Sequence, residues 1–182
     1  MYPSKKVTEI LSWYEGESPA IKTNLARLLM QGALANTGRL IILPVDQGFE
    51  HGPMRSFSPN PQAFDPHYHY RLAIEADLSA YAAPLGMLEA GADTFAGAIP
   101  TILKMNSGNK MTRFSDEALL SDQAMTASVE DAVRLGCVGV GFTIYPGSDH
   151  TYEMFEKVKD MIRQARSHGL ICIIWSYARG NM

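Results

Sequence analysis

Cysteine is scarce in this sequence, with Cys137 and Cys172 the two present. Neither belongs to a C-x-x-C pair and no Cys/His spacing suits zinc, so a structural metal and a redox dithiol are both set aside. Each lies in an apolar run and reads as a buried, reduced thiol of the cytosol; a bond between them is the lesser alternative. No apolar run approaches the roughly 20 residues that span a bilayer. Residues 1–6 are too polar to begin a secretory signal. An excess of positive charge is also missing: the net charge of −3 offers no field to nucleic acid or an anionic lipid surface. Neither GxGxxG after the first apolar run nor GxxxxGK(S/T) anywhere occurs, which takes weight from both common nucleotide-binding readings. Repeats and low-complexity tracts are lacking too. These absences leave a soluble, cytoplasmic protein, 46% hydrophobic and 19% charged, long enough for one domain over residues 1–182.

Short apolar runs alternate with helical patterns along the chain. The spacing predicts strands over Arg39–Val45, Leu78–Ala83, Pro100–Met105, Cys137–Thr143 and Leu170–Trp175. Helices are expected over Lys22–Ala35, Pro66–Ala76, Asp122–Leu135 and Asp149–His168, with residues 1–38 an N-terminal helical extension. The buried stripe of the long helix is read as Tyr152, Phe155, Val158, Met161, Ile162 and Ala165, and Gly169 stops it. Met87, Met105, Met125 and Met161 read as core filling. The strand candidates are nearly continuous apolar runs rather than alternations, which means burial on both faces, as in a parallel sheet covered by helices. The fold class is therefore α/β, either a doubly wound sheet or a barrel. The sequence runs seven residues past Trp175 without a helix to cover that strand, so a longer chain is expected to complete the fold.

In a (β/α)₈ barrel the chemistry sits at the C-terminal ends of the strands. Asp46 follows the first strand, Lys104 ends the third, the turn TIYPGS from Thr143 to Ser148 follows the fourth, and Trp175 and Tyr177 lie at the fifth. A carboxylate, an amine and a phenol at one end of a barrel make an acid–base site. Plainer readings stand beside these. Asp46 could cap a turn, Tyr177 could be an amphipathic residue of the barrel mouth, and Trp175 could be core. Gly147 and Ser148 open the long helix, where N-capping is the default and an anion site the weaker reading. Lys104 has the general form of an imine-forming lysine. His51, after Glu50, could orient Asp46 or touch substrate. His67 and His69, two apart on a helix, point to different faces and make no metal pair. His150 and His168 read as surface residues.

The stretches PVDQGFEHGP, IPTILKMNS, AVRLGCVGVGFTIYPGS and IIWSYARG, in this order and spacing, resemble the archaeal-type class I fructose-bisphosphate aldolases, which have many bacterial members. The resemblance runs from Leu40 to the end, and its first and last motifs are the most specific. It implies a (β/α)₈ TIM barrel of which this chain supplies about the first five βα units. It further implies a lysine that forms an imine with the substrate ketone, a tyrosine acid–base matched by Tyr177, and an aspartate matched by Asp46. The imine lysine of that family lies on the sixth strand, beyond Met182, as do the phosphate loops after the seventh and eighth. Lys104 then takes an electrostatic role toward substrate oxygens or Asp46, and Trp175 walls water from the enamine. The implied substrate is a phosphorylated sugar, with no metal or other cofactor, no nucleic acid and no membrane, in a homo-oligomer that can reach a decamer. Related transaldol or thiolase chemistry on another phosphorylated ketose, and a non-catalytic sugar-phosphate-binding barrel, are the alternatives.

Overall fold

A computed structural model describes residues 2–108 and 123–179. Two helices come first, α1 (Lys5–Ser12) and α2 (Pro19–Leu29), each opened by a serine hydroxyl, Ser4 or Ser18, that accepts from a backbone N–H of the first turn. Five strands follow: β1 (Ile42–Pro44), β2 (Ala80–Pro84), β3 (Thr101–Lys104), and, after a small hairpin of β4 (Asn106–Ser107) and β5 (Ala124–Met125), β6 (Gly139–Ile144) and β7 (Ile171–Ser176). They form one all-parallel sheet in the order β1-β2-β3-β6-β7. Each strand lies beside the one before it, with no reversal of direction across the sheet. A doubly wound sheet needs such a reversal; a barrel does not. The alternative that apolar runs leave open is thus decided, and the sheet is a curled part of a barrel.

Both faces of β2, β3 and β6 are buried, as continuous apolar runs require, whereas β1 and β7 at the edges of the sheet are partly exposed. Tyr81, Ala83, Leu103, Val140 and Phe142 face the helices that cross between strands, while Ala80, Ala82 and Ile102 join Ile21 and Leu28 of α2 in a second cluster. Full burial of a side chain such as Leu28 or Phe142 contributes about 1.5–3 kcal/mol. On β6, Gly139 and Gly141 face large side chains of β7 instead of presenting their own. A Cβ on Gly141 would fall inside the Trp175 indole, and one on Gly139 inside Ile171. The glycines therefore decide how closely the bulky residues of β7 lie over β6. Among the described residues no helix is long and apolar enough to cross a membrane.

Several boundaries differ from expectation for identifiable reasons. Helix α2 stops at Leu29, because Gly32 turns at φ 79°, with Asp77 and Leu78 backbone where a Cβ would be, and Ala33 donates to the Asp77 carbonyl. Strand β1 is shorter than Arg39–Val45. The helix expected over Asp122–Leu135 is α7 (Val129–Arg134), opened by a Ser128/Asp131 capping box; Asp122 lies outside the described residues, and Ala124–Met125 pairs with β4. Met125 is accordingly exposed rather than core. On α8 (Thr151–Ser167) the buried stripe is Met154, Met161 and Ala165 with Val158 and Ile162 beside them, a phase that leaves Tyr152 and Phe155 exposed. Helix α6 (Leu85–Gly91), after β2, was not expected. Cys137 is buried and Cys172 half-buried; both thiols are free, and burial holds their pKa above the ordinary thiol range.

Replacing Gly141 with Ala forces Trp175 out of its place on β6. The expected cost is about 1–3 kcal/mol, read as a lower midpoint in urea denaturation with the slope unchanged.

Candidate active site

A cavity of about 290 Å³ opens at the C-terminal ends of β1, β3, β6 and β7. Asp46, His51, Lys104, Trp175 and Tyr177 line it together, with Glu50, Tyr145 and Arg179. The parallel topology explains the convergence, since every strand that ends here points its last residues to the same side of the sheet.

Lys104 is the last residue of β3, and its side chain is 6% exposed. Its ammonium donates to Asp46 Oδ2 and, at 2.6 Å, to Glu50 Oε1. Burial on its own pushes this ammonium toward neutrality, but the two carboxylates outweigh burial and hold its pKa above the ordinary lysine value. Lys104 is therefore a fixed cation at neutral pH, unsuited to nucleophilic attack. The rival reading of Lys104 as the imine-former does not fit this geometry.

The two carboxylates come from one short element. Asp46 occupies the N-cap position of α3 (Gln47–Glu50), yet its side chain makes no capping bond and turns to Lys104. Its carbonyl accepts from the N–H of Glu50, closing one turn of helix, so residues 46 and 50 share a face. Glu50 was not singled out from the sequence, although its spacing of four from Asp46 just after a strand was the available signal.

At the other wall, Tyr177 lies one residue past β7, half exposed, and its N–H donates to Ile144 O at 3.0 Å. Its ring lies 6.1 Å from that of Tyr145, a buried phenol that follows β6. Burial first, and then the Glu50 carboxylate, raise the pKa of Tyr145, so it stays neutral. Asn106, fully buried, fixes the strand end that carries Tyr145: its amide donates to Thr143 O and accepts from Thr143 N, each at 2.8 Å. Trp175 is half-buried over Gly141 and forms one side of the cavity.

Ser148 is not brought to the cavity. Nor is it the cap of the long helix: α8 begins at Thr151 with His150 at the N-cap, and Ser148 is consumed by a turn in which its N–H donates to Tyr145 O. His67 and His69 lie elsewhere, bonded to the carbonyls of Ala90 and Ala63. A half-buried carboxylate pair holding one buried cation, beside an accessible phenol, can stabilise positive charge on a bound molecule and exchange a proton with it.

Residues 40–182 match the sequence profile of the DeoC/LacD family aldolases. Over 156 residues the chain is 40% identical to a probable fructose-bisphosphate aldolase class 1 of Chlamydia trachomatis, covering 86% of this chain and 44% of that protein. It is 40% identical over 146 residues to the fructose-bisphosphate aldolase class 1 of Thermoproteus tenax, covering 80% of this chain and 52% of the other. A solved archaeal fructose-1,6-bisphosphate aldolase, with its catalytic Lys covalently bound to the carbinolamine intermediate of the substrate, superposes with a TM-score of 0.71 at 36% identity, over 85% of this chain and 57% of that one. The chain thus spans about half the length of the curated relatives it matches.

Removal of the Lys104 charge as Lys104→Met leaves two carboxylates facing each other. The expected loss is roughly 3 kcal/mol at neutral pH, the lower end for a broken buried pair because Asp46 remains 25% exposed. Because the folded pKa of Lys104 is raised, its contribution is full below the unfolded value of 10.5 and fades as pH climbs past it. On the alkaline side, the stability gap between wild type and variant, measured by urea denaturation, should therefore persist to strongly alkaline pH before it closes.

Proposed function

The chain belongs to the DeoC/LacD family of aldolases, and from that premise we propose that the whole protein is a Schiff-base (class I) fructose-bisphosphate aldolase. It reversibly cleaves fructose 1,6-bisphosphate to dihydroxyacetone phosphate and glyceraldehyde 3-phosphate. The observation that carries this reading is the charge count in the clamp. Asp46 and Glu50 surround the single ammonium of Lys104 and leave one negative charge over. That surplus, partly desolvated, favours a further cation at the same place, and a protonated imine is such a cation.

The imine-forming lysine, by the resemblance, lies on the strand after β7 and outside residues 1–182. Its amine must be neutral to attack, and desolvation on burial, rather than the net negative clamp, is what lowers its pKa in the required direction. Attack on the C2 ketone gives a carbinolamine, the species held by the catalytic Lys of the archaeal relative. Asp46 assists the loss of water and stabilises the resulting iminium. Tyr177 takes the proton of the C4 hydroxyl, the C3–C4 bond breaks, and its electron pair passes to the iminium to give an enamine. Glyceraldehyde 3-phosphate leaves. Tyr177 then returns the proton to C3, and hydrolysis of the imine frees dihydroxyacetone phosphate. Trp175 shields the enamine from water, and the imine itself serves as the electron sink in place of a cofactor. We place the enzyme in the cytoplasm as a homo-oligomer, in keeping with the resemblance.

Borohydride reduction of the full-length protein with fructose 1,6-bisphosphate, followed by intact mass and peptide mapping, should give a stable adduct on a lysine other than Lys104. An adduct on Lys104 would reassign the nucleophile, and a folded protein that forms none is no Schiff-base aldolase. Tyr177→Phe should still form the trapped adduct while kcat falls by roughly 10²–10⁴, because the phenol acts after the imine is made.

A further inference from the structure

The clamp on Lys104 depends on where α3 sits, and a single turn of helix does not hold itself in place. Its support comes from the elements that follow it, α4 (Pro53–Phe57), the 3₁₀ turn Pro61–Phe64 and α5 (Pro66–Glu75). Gly48, inside α3, has no side chain, and Phe57 takes the space: a Cβ there would meet Phe57 Cε2 at 2.9 Å and Cζ at 3.2 Å. Ser56 Oγ donates to the Gln47 carbonyl at 2.9 Å. The backbone of α3 therefore rests directly on the end of α4.

Phe57 is in turn held by two rings. Phe64 meets it edge-on, with centroids 5.9 Å apart, and His69 of α5 lies 5.4 Å away at a tilt of 46°. His69 is buried, and its Nε2 stands 2.9 Å from the Ala63 carbonyl. A carbonyl only accepts, so Nε2 carries the proton. Burial holds the pKa of His69 below the ordinary histidine value, which keeps the ring neutral. One imidazole thus packs against Phe57 with its ring and, with its N–H, ties down the turn that carries Phe64. An apolar ring would do the first and not the second.

We propose that His69 is a positioning residue for the carboxylate clamp: with Phe64 it fixes Phe57, and Phe57 fixes the turn that presents Asp46 and Glu50 to Lys104. His69 does not line the cavity and acts through these neighbours. The catalytic consequence rests on the aldolase reading, whereas the mechanical one does not. Placement matters at this scale, because a displacement of about 1 Å among reacting groups lowers a rate by roughly 100-fold.

The test is a double-substitution cycle in the full-length protein, read by urea denaturation. Substitutions at sites that share no partner shift the midpoint independently, so His69→Phe and Lys104→Met add if the two sites are unrelated. A loosened clamp has less to lose, since its carboxylates are freer to reach water. Lys104→Met should therefore lower the midpoint of His69→Phe by only about half of what it lowers wild type. Gln places an amide donor near the position of Nε2, so His69→Gln should behave more like wild type in the same cycle. With fructose 1,6-bisphosphate, kcat of His69→Phe should fall roughly 10- to 100-fold while KM changes less, and His69→Gln should recover part of that loss. Additive midpoint shifts would overturn the proposal. So would an unchanged kcat in His69→Phe of an enzyme that forms the borohydride adduct. Should His69→Phe fail to fold, Phe57→Leu enters the cycle in its place. A protein that forms no adduct fails the aldolase reading alone, and the denaturation cycle still decides the role of His69.

Discussion

One ammonium group organises the functional end of this protein. Lys104 brings a positive charge up through the end of β3, and the short helix after β1 presents Asp46 and Glu50 to it. None of the three would be tolerable alone at this depth: an unpaired lysine would shed its proton, and two facing carboxylates would repel. Together they fasten the loop after β1 to the third strand of the sheet, across the intervening β2. The rest of the cavity is arranged around that fastening, with Trp175, Tyr177 and Arg179 supplied by the last strand and the stretch beyond it.

The sheet makes such a meeting possible. Parallel strands in unbroken chain order deliver their C-terminal ends to one side, so residues more than 130 positions apart, Asp46 and Tyr177, line one cavity. The two glycines of β6 matter at this level too. By presenting no side chain toward Ile171 and Trp175, they allow β7 to lean over β6 and carry an indole to the cavity wall.

Much of this was readable from residue order. All five strands of the sheet appear in the sequence as apolar runs, and for β2, β3 and β6 burial on both faces is the reason. Asp46, Lys104, Trp175 and Tyr177 were found by one rule, that residues at or just past the ends of parallel strands face the mouth of the fold, and His51 by its place beside Glu50 and near Asp46. The rule failed for Ser148, since the turn after β6 closes on Tyr145 and leaves Ser148 off the cavity. Glu50 was missed because its meaning depends on a single turn of helix, which no periodicity announces. Asn106 was missed for a related reason: it does the work of a strand neighbour at Thr143 within a two-residue pairing too short to leave a pattern. Tyr152 and Phe155 were placed in the core by extending the stripe of Val158, Met161, Ile162 and Ala165 back along the helix, whereas the first turns of α8 bury Met154 instead. Arg179 drew no notice because a loop arginine is unremarkable until its neighbours are known.

The neighbour-by-neighbour order of the strands has a consequence for how the chain comes off the ribosome. Ile42 pairs with Ala80, Tyr81 with Thr101, Ile102 with Gly139, and Gly139 with Ile171. Each new strand therefore finds one partner among the residues made just before it, whereas the outer edge of β1 stays unpaired in the described sheet. Loop closure at each step spans only a few tens of residues, a modest entropic cost for a parallel sheet. Growth proceeds at one edge, and at every stage that advancing edge is the newest strand. A nascent chain of this kind carries two open margins, the outer edge of β1 and the newest strand, and only the second is covered as synthesis proceeds.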